Sequence, residues 1–231
     1  MNILLLNEPY IQMIYERHVL KGADYAKKHV RLPMQNPQRL WRWEDMDFPR
    51  VPCIIEFEEW ITKHNLACGN KLLATGFDPE LELLDYRSIR NIPYQNGQND
   101  LHRLDLDEKD FDFMVFGQTL EHLYQPVIAL QRIKNHLRPG GHVYTCVPTI
   151  NIPHMMPNHF YGYTPIGLCT LFISCGFEVI ELGYWGCEKY IHYIFEHHTW
   201  PDYRILQGSD GLMPANEECN VAQCWILARR P

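Results

Sequence analysis

The stretch that decides the fold is FDFMVFGQTLEHLYQPVIALQRIKNHLRPGGHVYTCVP, residues 111–148. Its two ends, FDFMVFG and HVYTCVP, are short apolar runs that predict buried strands. Pro126 stands where a first-turn proline belongs, and the segment 138–141, Arg-Pro-Gly-Gly, ends the helix that follows it. The apolar face of that helix is predicted to hold Val127, Leu130, Ile133 and Leu137. Strand, helix and strand in this order predict a parallel crossover.

The sequence on either side extends the same α/β pattern. After the crossover, Thr164 and Pro165 begin a helix that Gly176 ends, because a cap residue, a first-turn proline and a final glycine mark helix boundaries. Five further strands are predicted. Three precede the crossover, LLATG (72–76), ELELLDY (80–86) and DLHRLDL (100–106), and two follow it, FEVIELGYW (177–185) and VAQCWILAR (221–229). The sequence therefore predicts a doubly wound, mostly parallel sheet of seven strands.

The first 68 residues do not show the alternation of strands and helices that the rest of the chain shows. Residues 10–29 and 54–64 predict two helices, and residues 31–52 between them contain four prolines. We expect residues 1–68 to form an N-terminal helical extension, a lead-in or lid packed on an α/β domain of residues 69–231.

Composition excludes several classes of partner. The chain has 231 residues, of which 46% are hydrophobic, and carries 21 Lys and Arg against 28 Asp and Glu, a formal charge of −7. A nucleic-acid-binding protein needs a basic excess, so we expect no nucleic acid partner. The apolar runs are far shorter than the roughly 20 residues that cross a bilayer, and the start lacks signal-peptide features. Eight cysteines without a CxxC pair favour reduced thiols, so we expect a cytoplasmic protein without a membrane partner.

Residues 111–148 closely resemble the fourth strand, helix and fifth strand of class I S-adenosylmethionine-dependent methyltransferases. Members of the type 11 group have a similar acidic-His step after strand four and a similar Leu-x-Pro-Gly-Gly turn. HFYGYTPIGLCTLFISCGFEVIELG, residues 159–183, resembles the next stretch of that group. The first motif departs from the pattern, since the chain has Gly76 alone there. The resemblance implies a Rossmann-like fold, S-adenosylmethionine as cofactor and S-adenosylhomocysteine as product.

Cofactor contacts are expected where the parallel strands end, since ligands of open parallel sheets bind beyond the carboxyl ends. Asp85, predicted to end the second strand, offers two acceptor oxygens to ribose hydroxyls. Asp105 and Leu106, predicted near the third strand, are expected to meet the adenine. The alternatives are an ordinary turn and an acidic surface loop. The expected cofactor-binding residues are Thr75, Gly76, Phe77, Asp85, Tyr86, Asp105, Leu106 and Gln118.

Three histidines are candidates for the catalytic base. His122 follows the fourth strand, and His154 and His159 lie in the loop after the fifth. A neutral imidazole can remove a proton from a hydroxyl, so we predict an O-methyltransferase acting on a small molecule or a sugar or glycan acceptor. The alternative for the loop rings is packing of a rigid lid. IHYIFEHHTW, residues 191–200, predicts a helix rather than a metal site, and no metal is expected.

Two other functions compete with this prediction. The single glycine of the first motif favours a methyltransferase-like fold that serves as a catalytically silent binding or scaffold module. A nicotinamide-dependent oxidoreductase is disfavoured, because its fingerprint needs a glycine-rich turn that opens directly into a helix.

Overall fold

The structure of the chain, a computed structural model, is built on one sheet of six strands. It describes residues 8–22, 32–76, 78–95, 98–152, 154, 158–209 and 211–231. The strands are β1 (Cys68–Ala74), β2 (Asp85–Asn91), β3 (Phe111–Val115), β4 (Leu137–Pro148), β5 (Glu178–Trp185) and β6 (Gln223–Arg229).

The strand order is β2-β1-β3-β4-β6-β5. The first four strands in this order pair in parallel, and β6 is antiparallel to both of its neighbours, β4 and β5. The predicted α/β class and mostly parallel sheet are confirmed, with six strands in the described residues instead of seven.

Helices cover both faces of the sheet. They are α1 (Glu8–Ile14), α2 (Arg50–Lys63), α3 (Pro126–His136), α4 (Pro165–Ser174), α5 (Glu188–His197) and α6 (Tyr203–Leu206). A π-helical turn, Tyr15–Val19, continues α1. Among the described helices, none combines the length and apolarity needed to cross a membrane.

The crossover at residues 111–148 is confirmed as β3, α3 and β4. Leu130 and Ile133 of α3 are fully buried, as their spacing predicts. Val127 is exposed, and Leu137 begins β4 instead of extending the helical face. The helix ends at His136, one residue before its predicted end at Leu137, because Leu137 already pairs with Phe111 of β3.

Two predicted strands are wrong. Most of ELELLDY forms the 3-10 helix Pro79–Leu83, since Pro79 has a fixed φ and no N–H to give to a sheet. The strand begins only at Asp85. DLHRLDL forms the 3-10 turn Leu101–Arg103, which the Asp100 side chain caps by accepting the N–H of His102. A local cap therefore competes with strand pairing here.

The sheet separates two hydrophobic layers. One layer joins α3 and α4 to the sheet, and Leu130, Leu168 and Phe172 are fully buried in it. The other layer joins α2 to the opposite face through Ile54 and Phe57. Burial of each such side chain contributes roughly 1.5–3 kcal/mol. Helix α2 thus shares a core with the strands, although it lies in the predicted N-terminal extension, and the division at residue 68 stays a prediction.

Helix α2 buries one acid against β6. The indole N–H of Trp225 donates to Glu56 Oε2 at 2.6 Å, and Glu56 is almost fully buried. Burial raises the pKa of Glu56 well above its ordinary value, and the nearby acids Glu181 and Glu59 add to the rise. The folded chain therefore keeps a proton on Glu56 at pH values where the unfolded chain has lost it.

We expect Glu56→Gln to flatten the pH dependence of stability. An unfolded Glu ionises near pH 4.3, so above this pH the folded chain binds more protons and its free energy of unfolding falls as pH rises. The slope from one such group is at most about 1.4 kcal/mol per pH unit. Glutamine keeps an acceptor for Trp225 and does not ionise. Urea unfolding between pH 5 and 8 measures the difference between the variant and the unsubstituted chain.

The matched control is Glu196→Gln on α5, where the acid is largely exposed. Its free energy of unfolding should follow the unsubstituted chain at every pH. Equal slopes for Glu56→Gln and Glu196→Gln would show that Glu56 is ionised in the folded chain.

Candidate functional site

The four parallel strands end at one edge of the sheet, at Ala74, Asn91, Val115 and Pro148. We call this the carboxyl edge. Thr75 and Gly76 follow β1 directly, and Gln118 follows β3. These three predicted residues therefore lie at the edge where parallel sheets bind ligands. Phe77 lies outside the described residues.

Asp85 and Tyr86 lie at the opposite edge, so their expected position is wrong. They begin β2 and pair with Cys68 and Gly69, which begin β1. Tyr86 is buried there and donates its hydroxyl to the carbonyl of Leu66 at 2.9 Å. Because the 3-10 helix takes up the preceding residues, β2 starts where the sequence pattern predicts its end.

Asp105 and Leu106 are also displaced from the carboxyl edge. Leu106 N–H donates to Nε2 of His136, the last residue of α3, and this helix ends beside the start of β4. The Asp105 side chain is 77% exposed and pairs with Lys109 at 2.9 Å. Their expected position is wrong because the strand predicted at residues 100–106 does not form.

Asn91 occupies the position expected for Asp85, at the carboxyl end of β2. Its Nδ2 donates to the carbonyl of Gly76 at 2.9 Å, and its Oδ1 is buried without a hydrogen-bond partner. Among the described residues, a Cβ added to Gly76 would meet no atom within 4 Å, so open space adjoins the first loop in the described structure. Sequence reasoning missed Asn91, and Pro79 was the signal that β2 begins later.

Asp78 joins the loops after β1 and β3. Its Oδ2 accepts the backbone N–H of Gly117 at 2.9 Å. A Cβ on Gly117 would lie 2.8 Å from the Asp78 carboxylate, closer than real Cβ contacts, so glycine is needed for this approach. The two loops are thus joined at the carboxyl edge, where parallel sheets bind ligands.

A buried ion pair lies beneath this wall. Arg50, from the start of α2, donates to Glu80 Oε2 at 2.7 Å, and its guanidinium is 3.9 Å from Asp78. A second guanidinium nitrogen contacts the thiol of Cys146 on β4. Glu80 is fully buried, and burial raises its pKa although Arg50 acts in the opposite direction.

Glu121 adds a third carboxyl group to this region. It is 1% exposed, and its Oε2 has no hydrogen-bond partner. Burial raises its pKa to about 8, while Arg50 lowers it and Asp78 raises it. One guanidinium therefore faces the carboxyl groups of Asp78, Glu80 and Glu121. A cationic ligand beside these groups would favour their ionised forms, which burial disfavours.

The structure brings the three predicted histidines together. The ring centres are 5.3 Å apart for His122 and His154, 5.4 Å for His154 and His159, and 6.0 Å for His122 and His159. His122 is next to Glu121 in the chain, and its pKa is lowered, chiefly by burial. We call these three side chains the histidine cluster. It adjoins Glu121, since His122 Nε2 is 3.7 Å from Glu121 Oε1. Its role in proton removal stays a prediction.

Exposed aromatic rings border the histidine cluster. Tyr124 and Phe160 have ring centres 6.2 Å apart, and Phe160 and Tyr161 have ring centres 6.4 Å apart. All three side chains are exposed. The Tyr161 hydroxyl donates to the carbonyl of Tyr124 at 3.2 Å, which joins the loop after β4 to the turn after β3.

Two cavities differ in their position relative to the site. A cavity of about 280 Å³ opens at the carboxyl edge, between the end of β4, the start of α4 and the end of β5. A larger cavity, of about 530 Å³, lies beside the start of β5 and the second half of α2. Only the smaller cavity is at the edge that carries the crevice.

Residues 62–145 match the model of the family described as "Methyltransferase domain", type 11. No curated protein sequence matches the chain significantly. Among solved structures, the cyclase SpnF is 13% identical, with 95% of this chain and 94% of SpnF covered, at a TM-score of 0.51. This similarity shows a shared fold.

Two methyltransferase structures are similar at lower TM-scores. The 1,6-didemethyltoxoflavin-N1-methyltransferase of Burkholderia thailandensis, solved with S-adenosylhomocysteine, is 15% identical, with 77% of each chain covered and a TM-score of 0.48. An S-adenosylmethionine-dependent methyltransferase of Mesorhizobium loti is 11% identical, with 77% of this chain and 100% of that chain covered, at a TM-score of 0.46.

The match begins within α2 and ends within β4, so it contains the first three strands, the crossover helix and the buried acids that line the crevice. Residues 62–145, 84 of the 231 in the chain, are therefore similar to a methyltransferase domain of type 11, and the complete sheet shares its fold with SpnF.

Proposed function

We propose that the chain transfers a methyl group from S-adenosylmethionine to a hydroxyl group of a small molecule or of a sugar or glycan acceptor. The observation that carries this proposal is the acidic crevice at the carboxyl edge, with the histidine cluster beside it. The acids suit a cationic cofactor, and the imidazoles suit removal of a hydroxyl proton.

The residues at the carboxyl edge fit the cofactor chemically. S-adenosylmethionine has a positive sulfonium and a positive ammonium group, and these charges would favour ionisation of Glu80 and Glu121, whose pKa values burial raises. The unpaired Oδ1 of Asn91 can accept a ribose hydroxyl, and the space at Gly76 leaves room beside the backbone. The residues that would hold the cofactor are Thr75, Gly76, Asp78, Asn91 and Gln118. When bound, the cofactor supplies a methyl group that its sulfonium makes labile.

The protein then has to position the acceptor and receive its proton. Alignment of the acceptor oxygen behind the methyl carbon is the main contribution, because orientation removes much of the barrier. The histidine cluster provides nitrogen atoms that receive the hydroxyl proton, and the ring burial that lowers the pKa of His122 keeps this imidazole neutral. An acceptor that is already an amine needs less such help, so the cluster favours oxygen.

The dimensions of the carboxyl edge favour a modest acceptor. The cavity there, of about 280 Å³, is at the small end of ligand sites. The exposed rings of Tyr124, Phe160 and Tyr161, which lie beside the histidine cluster and do not line this cavity, offer flat apolar faces that suit a sugar ring or a planar acceptor. A single sugar unit, free or at the end of a glycan, satisfies both features.

The second candidate is a binding or scaffold module without catalysis. One observation favours it: Arg50 and Glu80 fill the space beneath the first loop with a buried ion pair, and a single glycine remains in that loop. The fold alone does not decide between the two, since SpnF has this fold and is a cyclase.

Titration calorimetry of the full chain with S-adenosylmethionine and with S-adenosylhomocysteine separates these functions. The enzyme should bind both with a saturable heat at micromolar to millimolar concentrations. If millimolar ligand gives no heat, cofactor binding is excluded and the scaffold function is favoured.

We expect Gly76→Val to prevent cofactor binding without affecting stability. The new side chain enters open space in the described structure, so the melting temperature should change little. The same space is needed for the cofactor, so the affinity for S-adenosylmethionine should fall at least tenfold. Asn91→Ala removes one acceptor and should lower the affinity by about 3- to 10-fold, since a hydrogen bond contributes roughly 0.5–1.5 kcal/mol.

Asp85→Ala and Asp105→Ala are the matched controls, because both residues lie away from the carboxyl edge. Calorimetry should give the affinity of the unsubstituted chain for each. A loss of affinity in these controls, with normal binding by Gly76→Val, would place the cofactor elsewhere.

We expect His122→Ala and His159→Ala to keep their affinity for S-adenosylmethionine. The variant that removes the proton acceptor should lose turnover by about 100-fold or more, as is typical when a general base is removed. The measurement is the rate of S-adenosylhomocysteine formation with hydroxyl acceptors found by screening sugars and phenols. Full activity in both variants would exclude these two rings from proton removal, and His154 would be examined next.

A further inference from the structure

We propose that the histidine cluster and Glu121 bind a divalent cation of the zinc type at the mouth of the crevice. The binding itself is independent of the proposed function, while its use in catalysis rests on that function. The site would be formed by His122, His154 and His159 with one carboxylate oxygen of Glu121.

The spacing of the three rings is close to that of a tetrahedral metal site. Zinc binds imidazole nitrogen at about 2.0–2.1 Å, which in a tetrahedron puts the ring centres about 5 Å apart. The observed separations are 5.3, 5.4 and 6.0 Å. The ring nitrogens do not all lie within 4.8 Å of one another in the described structure, so a bound cation would require the rings to rotate towards a common point.

Backbone carbonyls fix the protonation of two of the rings. His122 Nδ1 is 2.9 Å from the carbonyl of Asn158, and His159 Nε2 is 2.9 Å from the carbonyl of Tyr161. A carbonyl only accepts, so each of these nitrogens is the N–H donor. His122 Nε2 and His159 Nδ1 are therefore left with lone pairs in the neutral rings. Metal-binding histidines usually show this arrangement, with the second nitrogen donating to a carbonyl or carboxylate.

Glu121 supplies a suitable fourth oxygen. Its Oε1 is 3.7 Å from His122 Nε2, and two ligands of one tetrahedral zinc are about 3.3 Å apart. Its Oε2 is buried and has no hydrogen-bond partner. A buried carboxyl group with an unpaired oxygen is costly unless a charge or donor satisfies it, and a bound cation would do so.

A second cluster has closer ligand atoms but is already filled. In the part of the chain that the structure describes, only Cys53, Glu80 and Cys146 have ligand atoms within 4.8 Å of one another. Arg50 donates to Glu80 and contacts the Cys146 thiol, so its guanidinium occupies the position of the cation. The histidine cluster contains no such cationic side chain.

A cation in this position would change how the acceptor loses its proton. Zinc can take a fifth ligand, and a hydroxyl that binds it has a lower pKa. The imidazole lone pairs would then bind the cation, and the hydroxyl proton would pass to solvent water instead of to a histidine. The histidine variants would lose activity in either case, so activity alone does not separate the two mechanisms.

The decisive measurement is zinc binding by the full chain without cofactor or acceptor. The exposed thiols of Cys68 and Cys219 can bind zinc, so all proteins carry Cys68→Ser and Cys219→Ser. Zinc chloride titrated into the protein after chelator treatment should bind at one equivalent. His122→Ala and His159→Ala should each weaken the binding at least tenfold. His192→Ala changes a largely exposed histidine on α5 and should leave it unchanged.

Circular dichroism shows whether each variant is folded, and His159→Ala, in a loop, remains informative if His122→Ala does not fold. The proposal is overturned if no saturable zinc binding occurs, or if both folded variants bind as tightly as the parent. S-adenosylmethionine titrated into the zinc-free protein tests the proposed function separately. Cofactor binding without zinc binding contradicts only the metal site, and zinc binding without cofactor binding contradicts only the proposed function.

Discussion

The buried ion pair between Arg50 and Glu80 is the interaction on which the rest of the site depends. It joins α2 to the short 3-10 helix after β1, and Asp78 then joins that segment to the loop after β3. Removing one partner of a buried pair leaves an unpaired charge, which typically costs about 3–5 kcal/mol. The pair therefore holds the segment after β1 in one position.

The sequence was sufficient to predict those helices and strands for which the apolar periodicity and the boundary residues indicate the same element. The crossover from Phe111 to Pro148 has both, because apolar strands surround a helix that begins at Pro126. The second strand has conflicting signals, since alternating apolar residues precede Asp85 but Pro79 opens a 3-10 helix instead. In the structure the 3-10 helix forms, and the strand begins at Asp85, five residues later than the predicted start at Glu80.

The same shift explains which site residues were predictable. Thr75, Gly76 and Gln118 follow strands whose ends were correctly predicted, so they lie at the carboxyl edge. Asp85 and Asp105 depend on strands that begin elsewhere or do not form. The histidines were found as single residues, but their mutual proximity depends on how the loop after β4 folds back to His122, which has no signature in the sequence.

The antiparallel insertion of β6 between β4 and β5 has a consequence for synthesis on the ribosome. Residues 223–229 form a central strand, yet they are translated after every other strand. Until they emerge, β4 and β5 expose unpaired backbone edges that other chains can join. Closing the sheet over such sequence separations is slow, so the nascent chain passes through a period in which chaperones would protect it from aggregation.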